Sequence, residues 1–435
     1  MNPLVSRRQF LGRASAGAGL LILSGRRGFG KISPNEKLNI GVIGVAGRGG
    51  DDLAEVSSEN IVALCDIDDH NLAAAAKKYP GAKTYNDFRQ LIDQKDLDAV
   101  VVGTPDHAHA VQAVAALRSG RHLYCEKPLA RTVSETRIIT DTARKMKKVT
   151  QLGTQIHAGA NYRRVVELVQ SGAIGKVAEV HVWVNSSYGG KERPTSTPPV
   201  PPHIHYDLWL GPVPERPYSP EYLPFHWRNW WAFGGGSLAD FGCHFMDLPF
   251  WALDLKYPRA VEIVDGPPVH PESTPPWLIA RYEFPPREGR PPAASLPPVK
   301  LTWYHGGKHP ALLTDEQYAK WKGGVLFLGE KGMLIADYNR RALWPEKDFE
   351  AFKPPEKFVP DSVGHHKEWI NVIKNGGRTT CPFDYSGPLS EAALLGNVAF
   401  RAGKRLEWDS KKLRARNCPE ADQFIQHHYR QGWKL

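Results

Sequence analysis

Leu38-Asn39-Ile40-Gly41-Val42-Ile43-Gly44-Val45-Ala46-Gly47-Arg48-Gly49-Gly50 is the stretch that decides the fold. Its first six residues form a short apolar, β-branched run, the composition of a buried parallel strand. The run passes directly into a glycine turn, and a helical stretch is expected from Asp51. A strand, a glycine turn and a helix start together aim backbone N–H groups and the positive end of a helix dipole at a phosphate. The spacing approaches G-x-G-x-x-G. Gly44 and Gly49 match, Ala46 holds the middle position and Gly47 follows it.

Working outward, Asn60-Ile61-Val62-Ala63-Leu64-Cys65-Asp66 reads as a second strand ending in an acid, 22 residues after Gly44. That is close to the spacing of about 20 at which a carboxylate takes the ribose hydroxyls of a dinucleotide. A carboxylate there repels a 2′-phosphate, which favours NAD over NADP, with Arg48 the residue able to offset the preference. Leu97 to Gly103 is a third apolar run, leading into Thr104-Pro105-Asp106-His107-Ala108-His109 and a helix expected over 110–119. His122-Leu123-Tyr124-Cys125 is a fourth, ending in Glu126-Lys127-Pro128. Alternating strands and helices predict a doubly wound α/β sheet, a Rossmann domain over 35–155, with ligands at the carboxyl ends of its strands.

Thr104-Pro-Asp-His-Ala-His109 and Glu126-Lys127-Pro128 resemble the signatures of the glucose-fructose oxidoreductase / inositol dehydrogenase (Gfo/Idh/MocA) family. The resemblance continues through Gly153-Thr154-Gln155, Gly172-Ala-Ile-Gly175 and Gly234-Gly-Gly-Ser-Leu-Ala-Asp240-Phe-Gly-Cys-His244-Phe-Met-Asp247 to the Gly329-Glu-Lys-Gly332 turn. Ala46 and a long Pro/Trp-rich insertion depart from the pattern. The resemblance implies cofactor contacts from Gly44, Ala46, Gly47, Arg48, Gly49, Asp66, Thr104, Pro105, Asp106, His109, Glu126 and Lys127, with Gln155 at the nicotinamide end. It also implies a homo-oligomer formed through an open sheet face.

Beyond residue 155 the pattern changes to strands without intervening helices, over 177–184, 278–284, 299–304 and 325–328. These predict a mixed or antiparallel sheet in an α+β substrate domain spanning 156–435, whose C-terminal segment is free to pack back on the first domain. Pro194–Pro224 carries ten prolines with Trp209 among them, and Pro258–Pro298 is a second proline-dense stretch. Interleaved aromatics predict that both are long ordered loops.

Asp240 and His244 are spaced i, i+4, so a helix would present both on one face, with Asp247 a turn further on. Hydride removal from a secondary alcohol needs an acceptor for the hydroxyl proton and a positive group beside the developing oxyanion. An imidazole with an ordinary pKa near 6.5 suits the first role. Lys127, at a strand end, suits the second, and the resemblance implies the same catalytic set of Lys127, Asp240 and His244. Arg163, Asn185 and Tyr188 are the candidates to reach substrate. No metal is expected. The histidines of His107/His109, His203/His205, His365/His366 and His427/His428 would need three ligands of plausible geometry to hold a metal; the resemblance gives His109 a cofactor contact instead, and the paired ones read as surface or loop residues.

The formal charge is +10, but six basic residues lie in the first 31, which hold no acid, leaving +4 for the rest. That removes the main argument for a nucleic-acid partner. Ser6-Arg7-Arg8-Gln9-Phe10-Leu11 followed by a weakly apolar run over 14–23 reads as a twin-arginine export signal over 1–31. A ten-residue run is too short for stable membrane insertion, which needs about 20 residues. The five cysteines show no CxxC pairing and are expected to be buried free thiols.

The reading that joins these features is an exported oxidoreductase, moving hydride between NAD (or NADP) and a sugar, polyol or glycoside. Thirteen tryptophans suit carbohydrate stacking. Because an exported enzyme has no ready pool of soluble NAD, the cofactor is expected to be tightly held. A redox-neutral glycoside hydrolase or lyase working by transient oxidation is the first alternative. A sugar-binding protein with a structural nucleotide is the second, and the proton-relay set of Lys127, Asp240 and His244 argues against it.

Overall fold

A computed structural model describes residues 36–289 and 295–435. The candidate export signal over 1–31 lies outside them. Strands β1 (Asn39–Ile43), β2 (Asn60–Cys65), β3 (Lys83–Tyr85), β4 (Ala99–Val102), β5 (His122–Cys125) and β6 (Thr150–Leu152) form a six-stranded sheet in the order β3-β2-β1-β4-β5-β6. Every neighbouring pair is parallel. This is the doubly wound order that places a ligand crevice at the carboxyl ends of β1 and β4.

Two helices start earlier than the sequence predicts. Gly47–Glu55 begins four residues before Asp51, because the glycine turn is itself the first helical turn. Asp106–Arg118 begins before Ala110 and is buried almost throughout, so it shows no one-sided apolar stripe to mark its start. β3 has only three residues, none fully buried, and so leaves no apolar run to read.

In the second domain β7 (Val177–Val184), β8 (Ala260–Asp265), β9 (Leu278–Phe284), β12 (Val299–His305), β13 (Gly324–Gly329), β14 (Gly332–Ala336), β15 (Arg341–Trp344), β16 (Leu406–Asp409) and β17 (Arg414–Ala415) build a nine-stranded sheet. A separate two-residue pair, β10 (Arg287–Glu288) with β11 (Ser295–Leu296), lies outside it. The order is β15-β14-β13-β7-β12-β9-β8-β16-β17, parallel between β7 and β12 and antiparallel elsewhere, hence mixed.

The first proline-dense stretch is an ordered loop, interrupted by the short helix Tyr206–Leu210. Trp209, Tyr222, Trp227, Trp230 and Phe233 give this loop region a small core of its own. The second stretch is not a loop. It contains β8 and β9, and its prolines fall outside both strands, where no ladder N–H is required.

The C-terminal segment returns to the first domain. Trp369, Ile370 and Ile373, on helix His365–Asn375, share a core with Leu38 and with Ile40 and Val42 of β1. His365 and His366 are therefore buried at that contact and are not surface residues. The His365 ring is within 2.7 Å of the Leu152 carbonyl, and His366 Nε2 is 2.9 Å from Asp52 Oδ1. Helix Phe383–Ala402 is tied to the Rossmann domain by the partly buried pair Arg137–Glu391 at 2.7 Å. All five cysteines are buried free thiols.

Candidate active site

A cavity of about 1060 Å³ runs along the carboxyl ends of the parallel strands and under the second domain. Gly44, Ala46, Gly47, Arg48, Asp66, Thr104, Pro105, Asp106, Glu126, Lys127 and Gln155 all line it. Gly44 has φ +83°, and a Cβ there would lie 2.8 Å from the Gly103 carbonyl oxygen, so this turn admits only glycine. Gly49 faces away from the cavity. A Cβ on it would come within 2.1 Å of the Gly44 carbonyl oxygen, so it serves helix–strand packing.

The turn fits a dinucleotide pyrophosphate on three observations. Helix Gly47–Glu55 has no side-chain cap and no acid in its first turn, which leaves its N-terminal N–H groups open. A Cβ on Gly47 would meet no protein atom, so the backbone faces open space. At the end of β2 the Asp66 carboxylate accepts hydrogen bonds from the Val45 and Asp68 amides at 3.0 Å and faces the same cavity. Around it lie Asp68, Asn71, Asn86 and Asp87, a polar and acidic wall that suits a ribose diol and repels a 2′-phosphate. Arg48 does not offset this, because its guanidinium is engaged by Asp51, Asp52 and Glu126 at 3.3–3.4 Å.

At the other end of the cavity the two domains supply one cluster. Asp240 and His244 share the helix Gly236–Phe245 and both line the cavity, as the i, i+4 spacing predicts. Lys127 Nζ is ion-paired with Asp240 Oδ1 and donates to the Asp240 carbonyl at 3.1 Å. Arg228 Nε lies 3.4 Å from the other carboxylate oxygen. Burial pushes the Asp240 carboxyl up, but Lys127 and Arg228 outweigh it and hold the group well below the usual carboxylate range. Burial likewise works against the Lys127 charge, and Asp240 foremost overcomes it, so its pKa is raised and the ammonium persists.

His244 differs from the sequence expectation. Burial, then the Lys127 charge, lowers its pKa to about 3, so the imidazole is neutral and not poised near 6.5. Its Nδ1 is buried without a hydrogen-bond partner. Tyr188 also lines the cavity, and burial together with Asp240 pushes its phenol up to about 12.

Other expected residues lie elsewhere. His109 is fully buried behind the site, its ring nitrogens 2.6 Å and 2.9 Å from the Thr104 and Pro128 carbonyls, and it holds the two motif loops rather than lining the cavity. Arg163 is buried and donates to the Pro360 carbonyl at 2.6 Å. Asn185 is exposed and is not among the cavity-lining residues. Asp247 turns into the core, where it meets His157 at 3.0 Å and accepts from the Tyr385 hydroxyl at 2.7 Å. Arg228 and Tyr338 were not anticipated. Arg228 stands between Trp227 and Trp230 in an aromatic-rich loop, a composition that marks the loop but not the arginine's return toward Asp240, and Tyr338 follows β14 with no motif around it.

Residues 38–154 match the oxidoreductase-family NAD-binding Rossmann fold of Gfo/Idh/MocA type, and residues 158–286 match that family's C-terminal alpha/beta domain. Together these cover more than half of the chain, which belongs to this oxidoreductase family. Among relatives, inositol 2-dehydrogenase of Salmonella typhimurium is 36% identical over 150 residues, covering 33% of this chain and 45% of that protein. An alpha-N-acetylgalactosaminidase of Shewanella oneidensis is 29% identical over 167 residues, 35% of this chain and 36% of that one. The chain thus spans less than half the length of these curated relatives. The WlbA dehydrogenase of Bordetella pertussis, solved with NADH and UDP-GlcNAcA, superposes with TM-score 0.60 at 20% identity, over 86% of this chain and 99% of that one.

Proposed function

We propose that this chain is an NAD-dependent oxidoreductase moving hydride between a tightly held cofactor and a secondary alcohol of a sugar, polyol or glycoside. The observation that carries the reading is the Lys127–Asp240 pair with neutral His244, set in the same cavity as the glycine turn and Asp66. NAD, when bound, supplies the hydride acceptor. Lys127 stays cationic and stabilises the alkoxide oxygen as it forms. The neutral His244 imidazole, which lines the cavity, accepts the hydroxyl proton. Its low basicity comes from burial and from the Lys127 charge, and negative charge growing on the substrate oxygen offsets both. Asp240 is a positioning residue that aims Nζ and keeps it charged.

Tight retention is supported by a strap from the proline-rich loop. The Asp69 amide donates to the His203 carbonyl at 2.9 Å, the His205 amide to the Ile67 carbonyl at 2.8 Å, and the His205 ring is 3.0 Å from Asp69 Oδ1. Pro201, His203 and Ile204 thereby roof the cavity beside Asp66. A glycosidase working by transient oxidation is the second reading, favoured by the alpha-N-acetylgalactosaminidase relative. Absorbance at 340 nm of the purified chain with a panel of sugars and glycosides separates the two. Lasting reduction of bound NAD supports the first reading, product release without net reduction moves it to the second, and no response to any sugar contradicts both.

Export through the twin-arginine route belongs to the same proposal, on the strength of Arg7-Arg8-x-Phe10-Leu11. Unchanged export of a chain with lysine at positions 7 and 8 would exclude it. Assembly into a homo-oligomer is proposed as well, with light scattering of the purified chain as its check.

A further inference from the structure

A second, smaller pocket of about 300 Å³ lies at the N-terminal end of the helix that carries Asp240 and His244, lined there by Gly234 and Gly235, and it shares no lining residue with the large cavity. Three arginines from separate elements converge on it: Arg131, four residues beyond Lys127; Arg216, from the proline-rich loop; and Arg401, near the end of helix Phe383–Ala402. Arg131 is more than nine-tenths buried. Its Nη1 donates to the Ala232 carbonyl at 2.5 Å, while Nε and Nη2 have no partner among the described residues. Those two nitrogens form one edge of the guanidinium, the edge that takes two oxygens of a carboxylate or phosphate side by side. Arg216 Nε is also buried without a partner.

Arg401 stacks over Phe424 at 4.1 Å and Trp231 at 5.1 Å, so its plane is fixed. The acid within the pocket, Glu272, lies 3.2 Å from Arg193 and 3.6 Å from Arg216, and does not reach hydrogen-bond distance of Arg131. Buried donors left open are costly unless a ligand supplies acceptors. Acceptors are open too. Among the described residues Asn397 Oδ1 is buried without a hydrogen-bond partner, and Glu272 Oε2, 3.6 Å from Arg216 Nη1, makes no hydrogen bond, so both can accept from hydroxyl donors.

We propose that this pocket binds a small hydroxylated oxyanion, a sugar acid or a sugar phosphate, separately from the dinucleotide cleft. The guanidinium edges of Arg131 and Arg216 take the oxyanion, and Asn397 and Glu272 take its hydroxyls. Calorimetric titration of the full chain with D-glucuronate, glucose 6-phosphate, inorganic phosphate and neutral D-glucose tests it, on the parent, Arg216→Gln and Arg401→Gln. Both variants leave Arg131 and its backbone bond in place, and NADH fluorescence checks that the main cleft is intact. One of the two sugar anions should bind the parent at millimolar concentration or tighter, weakened about tenfold or more in both variants. Whichever binds tighter identifies the oxyanion as carboxylate or phosphate. No binding of either sugar anion, or equal binding in parent and variants, overturns the assignment. Inorganic phosphate binding as tightly as the sugar anions overturns its hydroxyl half.

Discussion

His244 was found in the sequence for one reason and acts, in this account, for a slightly different one. Its i, i+4 spacing from Asp240 placed it correctly, but an unperturbed imidazole could not be assumed at a buried site beside Lys127. With its pKa lowered to about 3, the ring is neutral across the physiological range. Only the neutral ring accepts a proton, so its competence is lost only as pH falls toward that value. The rate of cofactor reduction at limiting sugar, which reports groups of the free enzyme, should therefore show no break attributable to His244 between about pH 5 and 7.5. A break near the ordinary histidine value of about 6.5 that disappears in His244→Gln would contradict the assignment. Arg228 marks what residue-level reading misses. Its role follows from a loop that folds an arginine back over Trp227 at 4.1 Å toward Asp240, and no local motif encodes that return.

At the scale of elements, β1 with its glycine turn, β2 ending in Asp66 and β5 ending in Glu126-Lys127 were legible because each joins an apolar run to a polar terminus. β3 and the early starts of two helices were not, since one is too short to form a run and the helices begin in residues that also serve the site. The β5 terminus carries a testable property. Glu126 is buried beside Asp52, and burial first, then the Asp52 charge, raises its pKa to about 8. The folded chain thus holds a proton that an unfolded carboxyl of pKa about 4.3 releases. That contribution is complete at low pH and is lost as pH rises through about 8. Melting temperature should therefore lose this contribution between about pH 5 and 8, and the fall over that range should be shallower in Glu126→Gln. An unchanged slope in the variant would show that the Glu126 proton is not held in the folded state.

Over the whole molecule, the fold class of a parallel Rossmann sheet followed by a mixed sheet was legible in the sequence, but not the way in which the two are clasped. The clasp has two parts: the proline-rich loop bonds through its backbone to the end of β2, and apolar side chains of helix His365–Asn375 fill the core behind β1. Tryptophans that looked like sugar platforms are mostly structural, nine of the thirteen being buried, although Trp209, Trp227 and Trp433 do reach the cavity. If the strap retains the cofactor, Asp69→Ala, which removes the His205 contact, should speed dinucleotide release by about two- to fivefold, the worth of a half-exposed pair. Stopped-flow fluorescence of bound NADH would show it, and an unchanged release rate would contradict a retaining role. The central claim is that Lys127 and His244, from different domains, act together on one hydroxyl. Single-turnover reduction of bound NAD at 340 nm, in the parent, Lys127→Ala and His244→Ala, tests it most directly. The account predicts rates lower by ~10²–10⁴ in each variant, with dinucleotide binding nearly intact. Lys127→Ala should lose at least as much as His244→Ala, and parental rates in both variants would contradict the account.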